Sequence, residues 1–267
     1  MRPLKLEAYC VPLCVGFASD TGFRPFQWGI ISRKRFAMML CVPFHTQRGR
    51  FITLEGLDGC GKSTQLAKLA AVLRAENLPV VMTREPGGTA TGEKIRQLLL
   101  DTNTSALAPL AELALMFAAR VQHIAEVIQP ALAEGQIVLC DRFTDSTEAY
   151  QGGGRKLGSE LVLSLHRILC GSLQPDLTIL MDSEVAASVD RARRRNKTQA
   201  GRAKSDENRF EQESRTFFGR VRSAYLAIAA REPTRVVVVD ARGTPDETHR
   251  RIVDVVRSKL KLAIKTL

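Results

Sequence analysis

From Phe51 onward the apolar positions of this chain fall into two alternating patterns. Short, nearly continuous apolar runs occur at Phe51-Ile52-Thr53-Leu54-Glu55, Pro79 to Thr83, Gln136 to Cys140, Asp176 to Met181 and Arg235 to Val239, and these predict strands. Between them lie stretches of helical spacing. Gln65 to Leu78 carries Leu66, Leu69, Ala70 and Leu73 on one face. Gly92 to Leu100, Leu107 to Ala133 (ended by Gly135), Gly158 to Cys170, Val185 to Arg195, Arg209 to Ala230 and Pro245 to Leu262 complete the series. Apolar strands that alternate with helices imply an α/β fold, a parallel sheet covered by helices on both faces. No internal repeat is present.

Candidate chemistry begins where the first strand ends. Gly56-Leu57-Asp58-Gly59-Cys60-Gly61-Lys62-Ser63 fits G-x-x-x-x-G-K-[ST], and Thr64 continues it into the next helix. Its glycines let the backbone approach phosphate oxygens, and its N–H groups together with the following helix form an anion-binding concavity. Lys62 would bridge the outer phosphates and the Ser63 hydroxyl would hold Mg²⁺. Strand, glycine-rich turn and helix is the context this motif requires. The loop alone predicts a bound nucleoside triphosphate with Mg²⁺, without choosing between kinase, ATPase and GTPase.

Charge changes the picture less than its size suggests. The 267 residues carry a net charge of +11. Residues 1–50 hold eight Lys/Arg against two Asp/Glu, and residues 191–209 hold the same numbers, so the remainder is close to neutral. A nucleic-acid binder spreads basic charge over a face of its fold, which argues against nucleic acid as a partner. The six cysteines form no C-x-x-C pair and no zinc-spaced cluster, as expected of reduced thiols in the cytoplasm. No apolar run reaches membrane-spanning length. Residues 1–48 lack clear periodicity. Arg2 and Lys5 ahead of an apolar stretch outline a targeting segment, but the expectation is a disordered extension or a start placed too early, with Met38 or Met39 as the alternative start.

Further candidate residues stand at the ends of the predicted strands, where ligands bind in doubly wound sheets. Asp141 could orient Mg²⁺ and Arg142 could clamp a phosphate. Thr83-Arg84-Glu85-Pro86-Gly87-Gly88-Thr89 follows the second strand as a tight polar loop. Arg120 interrupts an apolar helix and needs a partner, either a ligand carbonyl or a structural carboxylate. Tyr150-Gln151-Gly152-Gly153-Gly154-Arg155 is a second glycine-rich stretch, in which Gln151 could read a base edge and the glycines could equally end a helix. The basic run from Arg191 to Arg209 reads either as a solvated helix end or as a closing lid that brings arginine to a transferring phosphoryl group.

Taken together, these pieces resemble the thymidylate kinase (dTMP kinase) family of bacterial type. They are E-G-L-D-G-C-G-K-S-T (Glu55 to Thr64), T-R-E-P-G-G-T (Thr83 to Thr89), F-A-A-R (Phe117 to Arg120), D-R-F-T-D-S-T-E-A-Y-Q-G-G-G-R (Asp141 to Arg155), P-D-L-T (Pro175 to Thr178) and R-F-E-Q-E-S (Arg209 to Ser214). The resemblance implies a P-loop kinase fold with a five-stranded parallel sheet and a mobile lid at about 195–209, within a domain spanning 49–267. It implies transfer of phosphoryl from ATP to dTMP, Mg²⁺ dependence and a homodimer formed through the long helices. Carried over by position, Lys62 and Ser63 serve ATP and Mg²⁺, and Arg142 grips the dTMP phosphate with Arg96 near it. Asp58 and Glu85 lie near its sugar and phosphate. Arg120 and Gln151 face the thymine edge, with Ser146 and Thr147 beside it.

Two positions depart from the family pattern. Some members carry an arginine where Gly59 stands, and in its absence the lid must supply the catalytic charge, with Arg195 first and Arg209 second. The stacking phenylalanine sits four residues before the arginine in relatives. Here Met116 occupies that place and Phe117 follows, so either could cover the thymine face. Two other readings compete: a kinase for another monophosphate, and a GTP switch. The guanine-reading N-K-x-D is missing, since Asn196-Lys197 is followed by Thr198-Gln199.

Overall fold

Five parallel strands form one sheet. The structure is a computed structural model and describes residues 48–101, 107–171, 173–199 and 209–261. The expected extension over 1–48, Arg48 aside, and most of the expected lid fall outside the described residues. The strands are β1 (Phe51–Glu55), β2 (Val80–Arg84), β3 (Ile137–Asp141), β4 (Leu177–Asp182) and β5 (Val236–Asp240), and they lie in the order β2-β3-β1-β4-β5. β1 is buried along its whole length, as a central strand must be. The Thr53 and Thr178 hydroxyls pair at 2.9 Å across β1 and β4, which satisfies polar groups the sheet interior would otherwise strand.

α1 (Lys62–Ala75) buries Leu66, Leu69, Ala70 and Leu73, the stripe its spacing predicts. It begins three residues earlier than that spacing suggested and ends before Asn77, which has positive φ. α2 (Ala90–Leu100) starts at the Thr89 cap, whose side chain accepts from Gly92 N. The expected helix from Leu107 to Ala133 is α3 (Pro109–His123), a π-helical turn (Ile124–Ile128) and α4 (Gln129–Ala133). Pro130 has no N–H to donate, and the wider turn just before it absorbs that loss. α6 (Ser159–Cys170), α7 (Val185–Gln199) and α9 (Pro245–Leu260) fall where expected, and a Thr244–Glu247 capping box opens α9.

Two elements differ from the sequence reading. Thr144 to Gly154, to which the sequence pattern assigned no element, is a buried helix, α5 (Thr144–Thr147) running into a π-helical turn (Glu148–Gly154), and the glycines close its end. Its glycines allow close approach of α8 (Arg215–Arg231): a Cβ on Gly154 would stand 2.6 Å from the Phe217 ring, and one on Gly153 2.7 Å from Ala224. The predicted single helix from Arg209 is instead a 3₁₀ turn (Arg209–Gln212), a break, and α8 capped by Ser214. One apolar cluster joins α1 and α9 to the sheet, and two others join α3, α6 and α8 to its opposite face. Among the described residues no helix is long and apolar enough to cross a membrane.

Candidate active site

The strand order places the ends of β1, β2 and β3 side by side, and the predicted site residues follow those ends. The loop after β1 folds around Lys62, whose Nζ donates to the Gly56 and Leu57 carbonyl oxygens at 3.1 and 2.9 Å. Gly56, Gly59 and Gly61 all take positive φ, and Gly61 precedes the first turn of α1. Cys60 is buried below the loop, while Ser63 and Thr64 are exposed at the start of α1. α7 lies directly against the loop. A Cβ on Gly59 would collide with the Ser188 carbonyl oxygen and stand 2.9 Å from Ala192 N, and Arg191 Nε donates to the Gly59 oxygen at 2.8 Å.

Ser63 Oγ donates to Asp141 Oδ2 at 2.8 Å, so the two residues expected at Mg²⁺ already meet. Asp141 Oδ1 is buried and finds no hydrogen-bond partner among the described residues. An orphaned carboxylate oxygen beside a P-loop hydroxyl fits a hydrated Mg²⁺, which takes few protein ligands and completes its shell with water and phosphate oxygens. The described residues hold no cluster of three His, Cys, Asp or Glu that could hold a metal ion.

Asp58 stands between the loop and the next strand end. Its carboxylate lies 4.0 Å from Lys62 Nζ and accepts from Arg142 Nη2 at 2.7 Å. Arg142 leaves β3 with φ +73°, and its Nη1 donates to Ser146 Oγ and Tyr225 Oη at 2.9 and 3.0 Å. The guanidinium also lies 4.9 Å from the Tyr150 ring centroid. Burial alone would lower the Arg142 pKa, but Asp58, Tyr150, Tyr225 and Asp141 together outweigh it and keep the group firmly cationic. The same burial pushes the Tyr150 and Tyr225 hydroxyls up, so both stay protonated.

A second group forms around Arg120, which is buried with its guanidinium over the Phe117 and Phe143 rings at 4.9 and 5.2 Å. Its Nε donates to Glu85 Oε2 and its Nη2 to Thr147 Oγ1, both at 2.7 Å. The other Glu85 oxygen meets His123 Nδ1 at 2.9 Å. Burial raises the Glu85 pKa, but Arg120 and His123 together outweigh it and hold the carboxyl ionised below its usual range. Arg120 thus has the structural carboxylate that its sequence context demanded. Its Nη1 is nevertheless buried with no partner among the described residues, a donor available to a ligand carbonyl. Glu85 lies against Arg120 and His123, Ser146 against Arg142 and Tyr225, and Thr147 is the residue that faces Arg120. Arg96 donates to the Pro86 carbonyl at 3.1 Å. Phe117 is a core residue beneath Arg120, whereas Met116 packs partly buried against the α8 side.

Two expected residues converge on Glu112, a fully buried carboxylate of α3. Gln151 Nε2 donates to it at 2.8 Å, which leaves the amide oxygen and the second N–H to read a base. Arg209 Nη2 lies 2.8 Å from it, and Arg209 Nε donates to the Leu99 carbonyl at 2.5 Å. Arg209 is therefore committed to α2 and α3. Arg195 lies on α7, and its side chain is outside the described residues. The sequence reading missed Glu55, Glu112, His123 and Tyr225 as site residues. The first had a visible signal, a carboxylate closing an otherwise apolar central strand. His123 had one as well, three residues beyond Arg120 and so on the same helical face.

Comparison with known proteins supplies the remaining finding. The family model described as "Thymidylate kinase" matches residues 54–252. A curated thymidylate kinase from Trichlorobacter lovleyi is 49% identical over 214 residues, covering 80% of this chain and all of that protein. Another from Pseudomonas syringae pv. tomato is 53% identical over 193 residues, covering 72% of this chain and 88% of that protein. The crystal structure of thymidylate kinase from Ehrlichia chaffeensis superposes with a TM-score of 0.61 at 32% identity, covering 79% of this chain and 99% of that one.

Proposed function

The chain belongs to the thymidylate kinase family, and from that premise we propose how its residues divide the reaction. The reaction is phosphorylation of dTMP to dTDP with ATP as donor. The observation that carries the assignment of roles is Asp58, which stands between Lys62 on the donor side and Arg142 on the acceptor side. Gly56 to Thr64 cradle the ATP phosphates, and Lys62 leaves its carbonyl contacts for the outer ones. Arg142, with Arg96 near it, holds the dTMP phosphate so that one of its oxygens attacks the γ-phosphorus in line. A P–O bond forms as the bond to the β,γ-bridging oxygen breaks, and ADP leaves. Positioning and charge stabilisation supply most of the catalysis, since no covalent intermediate is needed. Ser63 and Asp141 would hold Mg²⁺, which when bound neutralises charge on the phosphate oxygens.

The free Arg120 Nη1, Thr147 and the Gln151 amide oxygen form the thymine-reading edge. Arg195 is the lid arginine for the transferring phosphoryl, because Gly59 supplies no charge and Arg209 is bound to Glu112. The catalytic unit spans 49–267 with residues 1–48 outside it, and the enzyme acts in the cytoplasm. An ADP-release assay on dTMP, dUMP, dCMP and dGMP, run on the full chain and on a chain starting at Met39, tests this reading. The expected result is a clear preference for dTMP in both. Equal or faster turnover of another monophosphate would reassign the acceptor.

We also infer a homodimer formed through α3 and α6. Leu110 and Val121 on α3 and Leu161, Ile168 and Leu169 on α6 are exposed, Ile168 by 76%. Apolar side chains on neighbouring helices at that exposure mark a surface that another protein covers. Ile168→Glu is expected to yield monomers by sedimentation velocity where the parent chain sediments as a dimer. A parent chain that sediments as a monomer would sink the inference.

A further inference from the structure

Behind Arg142 lies a group of buried side chains to which the proposed chemistry gives no role. Glu55 closes β1 and is completely buried. Its Oε1 accepts from Phe143 N at 2.7 Å, and its Oε2 accepts from Ser146 Oγ at 2.5 Å and from Tyr225 Oη at 3.2 Å. The two hydroxyls lie 2.7 Å apart, and each also accepts from Arg142 Nη1. A hydroxyl has one proton and two lone pairs. With their protons directed to Glu55 or to one another, Ser146 and Tyr225 present lone pairs to the guanidinium. Nothing about packing an apolar core would require this. A carboxylate in this interior is costly: burial, with the nearby Asp145 charge, pushes Glu55 up to about 7. The Arg142 backbone is constrained as well, held at φ +73° with its N–H donating to the Leu54 oxygen at 3.1 Å.

We propose that Glu55 and Tyr225 are positioning residues for the acceptor phosphate, fixing the Arg142 guanidinium from behind through two hydroxyls while Asp58 holds it from the P-loop side. The three anchors come from separate parts of the chain: Glu55 from β1, Ser146 from α5, and Tyr225 from α8, beyond the lid sequence. A side chain aimed by three elements is pre-organised, so less of its rotamer entropy is lost when the phosphate arrives. Tyr225 thereby gives α8 a direct role in the acceptor site.

The proposal rests on the assignment of Arg142 to the dTMP phosphate, and the test separates the two. Titration calorimetry of the full chain would measure the Kd of dTMP and of thymidine, which lacks the phosphate. The variants are Tyr225→Phe, which keeps the buried ring and removes only the hydroxyl, and Glu55→Gln. Tyr225→Phe is expected to weaken dTMP about tenfold while thymidine stays within about twofold, and Glu55→Gln to do so more strongly. Should Glu55→Gln fail to fold, Tyr225→Phe decides alone. Parallel loss of dTMP and thymidine binding in Tyr225→Phe would show a scaffold role only and overturn the proposal, as would no change in either. A parent chain that binds thymidine as tightly as dTMP would overturn the Arg142 assignment itself, and the proposal with it.

Discussion

Arg142→Ala is expected to lower kcat/KM for dTMP by roughly a thousandfold, about 4 kcal/mol of lost transition-state stabilisation. The size follows from what the side chain does. It is the partly buried cation that bridges Asp58, Ser146, Tyr150 and Tyr225 at the end of β3. Removing it deprives the acceptor phosphate of a two-pronged partner and takes from the Asp58 carboxylate the cation that pairs with it at 2.7 Å. Repulsion then adds to the lost attraction. Arg142→Lys is expected to recover only part of the activity, because an ammonium cannot span the same four oxygens. Steady-state kinetics with dTMP varied at saturating ATP measures the effect. If Arg142→Ala left both turnover and the dTMP KM intact, the acceptor site would have to lie elsewhere.

Gly59→Ala is expected to cost about a hundredfold in kcat and several degrees in Tm, an effect far larger than one methyl group on a loop would suggest. Gly59 has φ +79°, where a Cβ costs about 1–2 kcal/mol on conformation alone. The added atom would also drive into the Ser188 carbonyl and the Ala192 nitrogen, both part of the α7 backbone, which cannot rotate away as a side chain can. Either α7 withdraws or the phosphate loop distorts. Gly219→Ala is the control: this glycine lies within α8, and a Cβ there meets nothing within 4 Å. That change is expected to be neutral or to stabilise by about 0.5–1 kcal/mol. Activity and melting temperature of the two variants check the contrast, and a Gly59→Ala enzyme with parental activity would refute it. The same geometry leaves no room here for a longer side chain such as arginine. The position is occupied by the backbone of the helix that leads toward Arg195.

Much of the fold was legible because it depends on local pattern. The five strands were visible as continuous apolar runs. The face of α1 was visible in Leu66, Leu69, Ala70 and Leu73, all of which are buried. Thr144 to Gly154 was not legible, because its helix is stabilised by α8 packing into the glycine surface and not by its own propensities. The break between Arg209 and Arg215 was obscured for a related reason. Arg209 is held by Glu112 and the Leu99 carbonyl, from elements about a hundred residues away in sequence.

Within the site, sequence alone determined the identity of the groups at the strand ends: the phosphate loop with Lys62 and Ser63, Asp141-Arg142, and the loop carrying Glu85. Their spacing relative to apolar runs is a one-dimensional property, and the order of a parallel sheet brings such ends together whatever the details. Only the tertiary structure decided how each group is used. It turned Glu85 toward Arg120 and His123, joined Asp58 to Arg142, bound Gln151 and Arg209 to Glu112, and placed the Tyr225 hydroxyl against Arg142. The physical reason is that a buried charge or hydroxyl must find its partner in three dimensions. Those partners lie on elements whose separation along the chain says nothing about their distance in space.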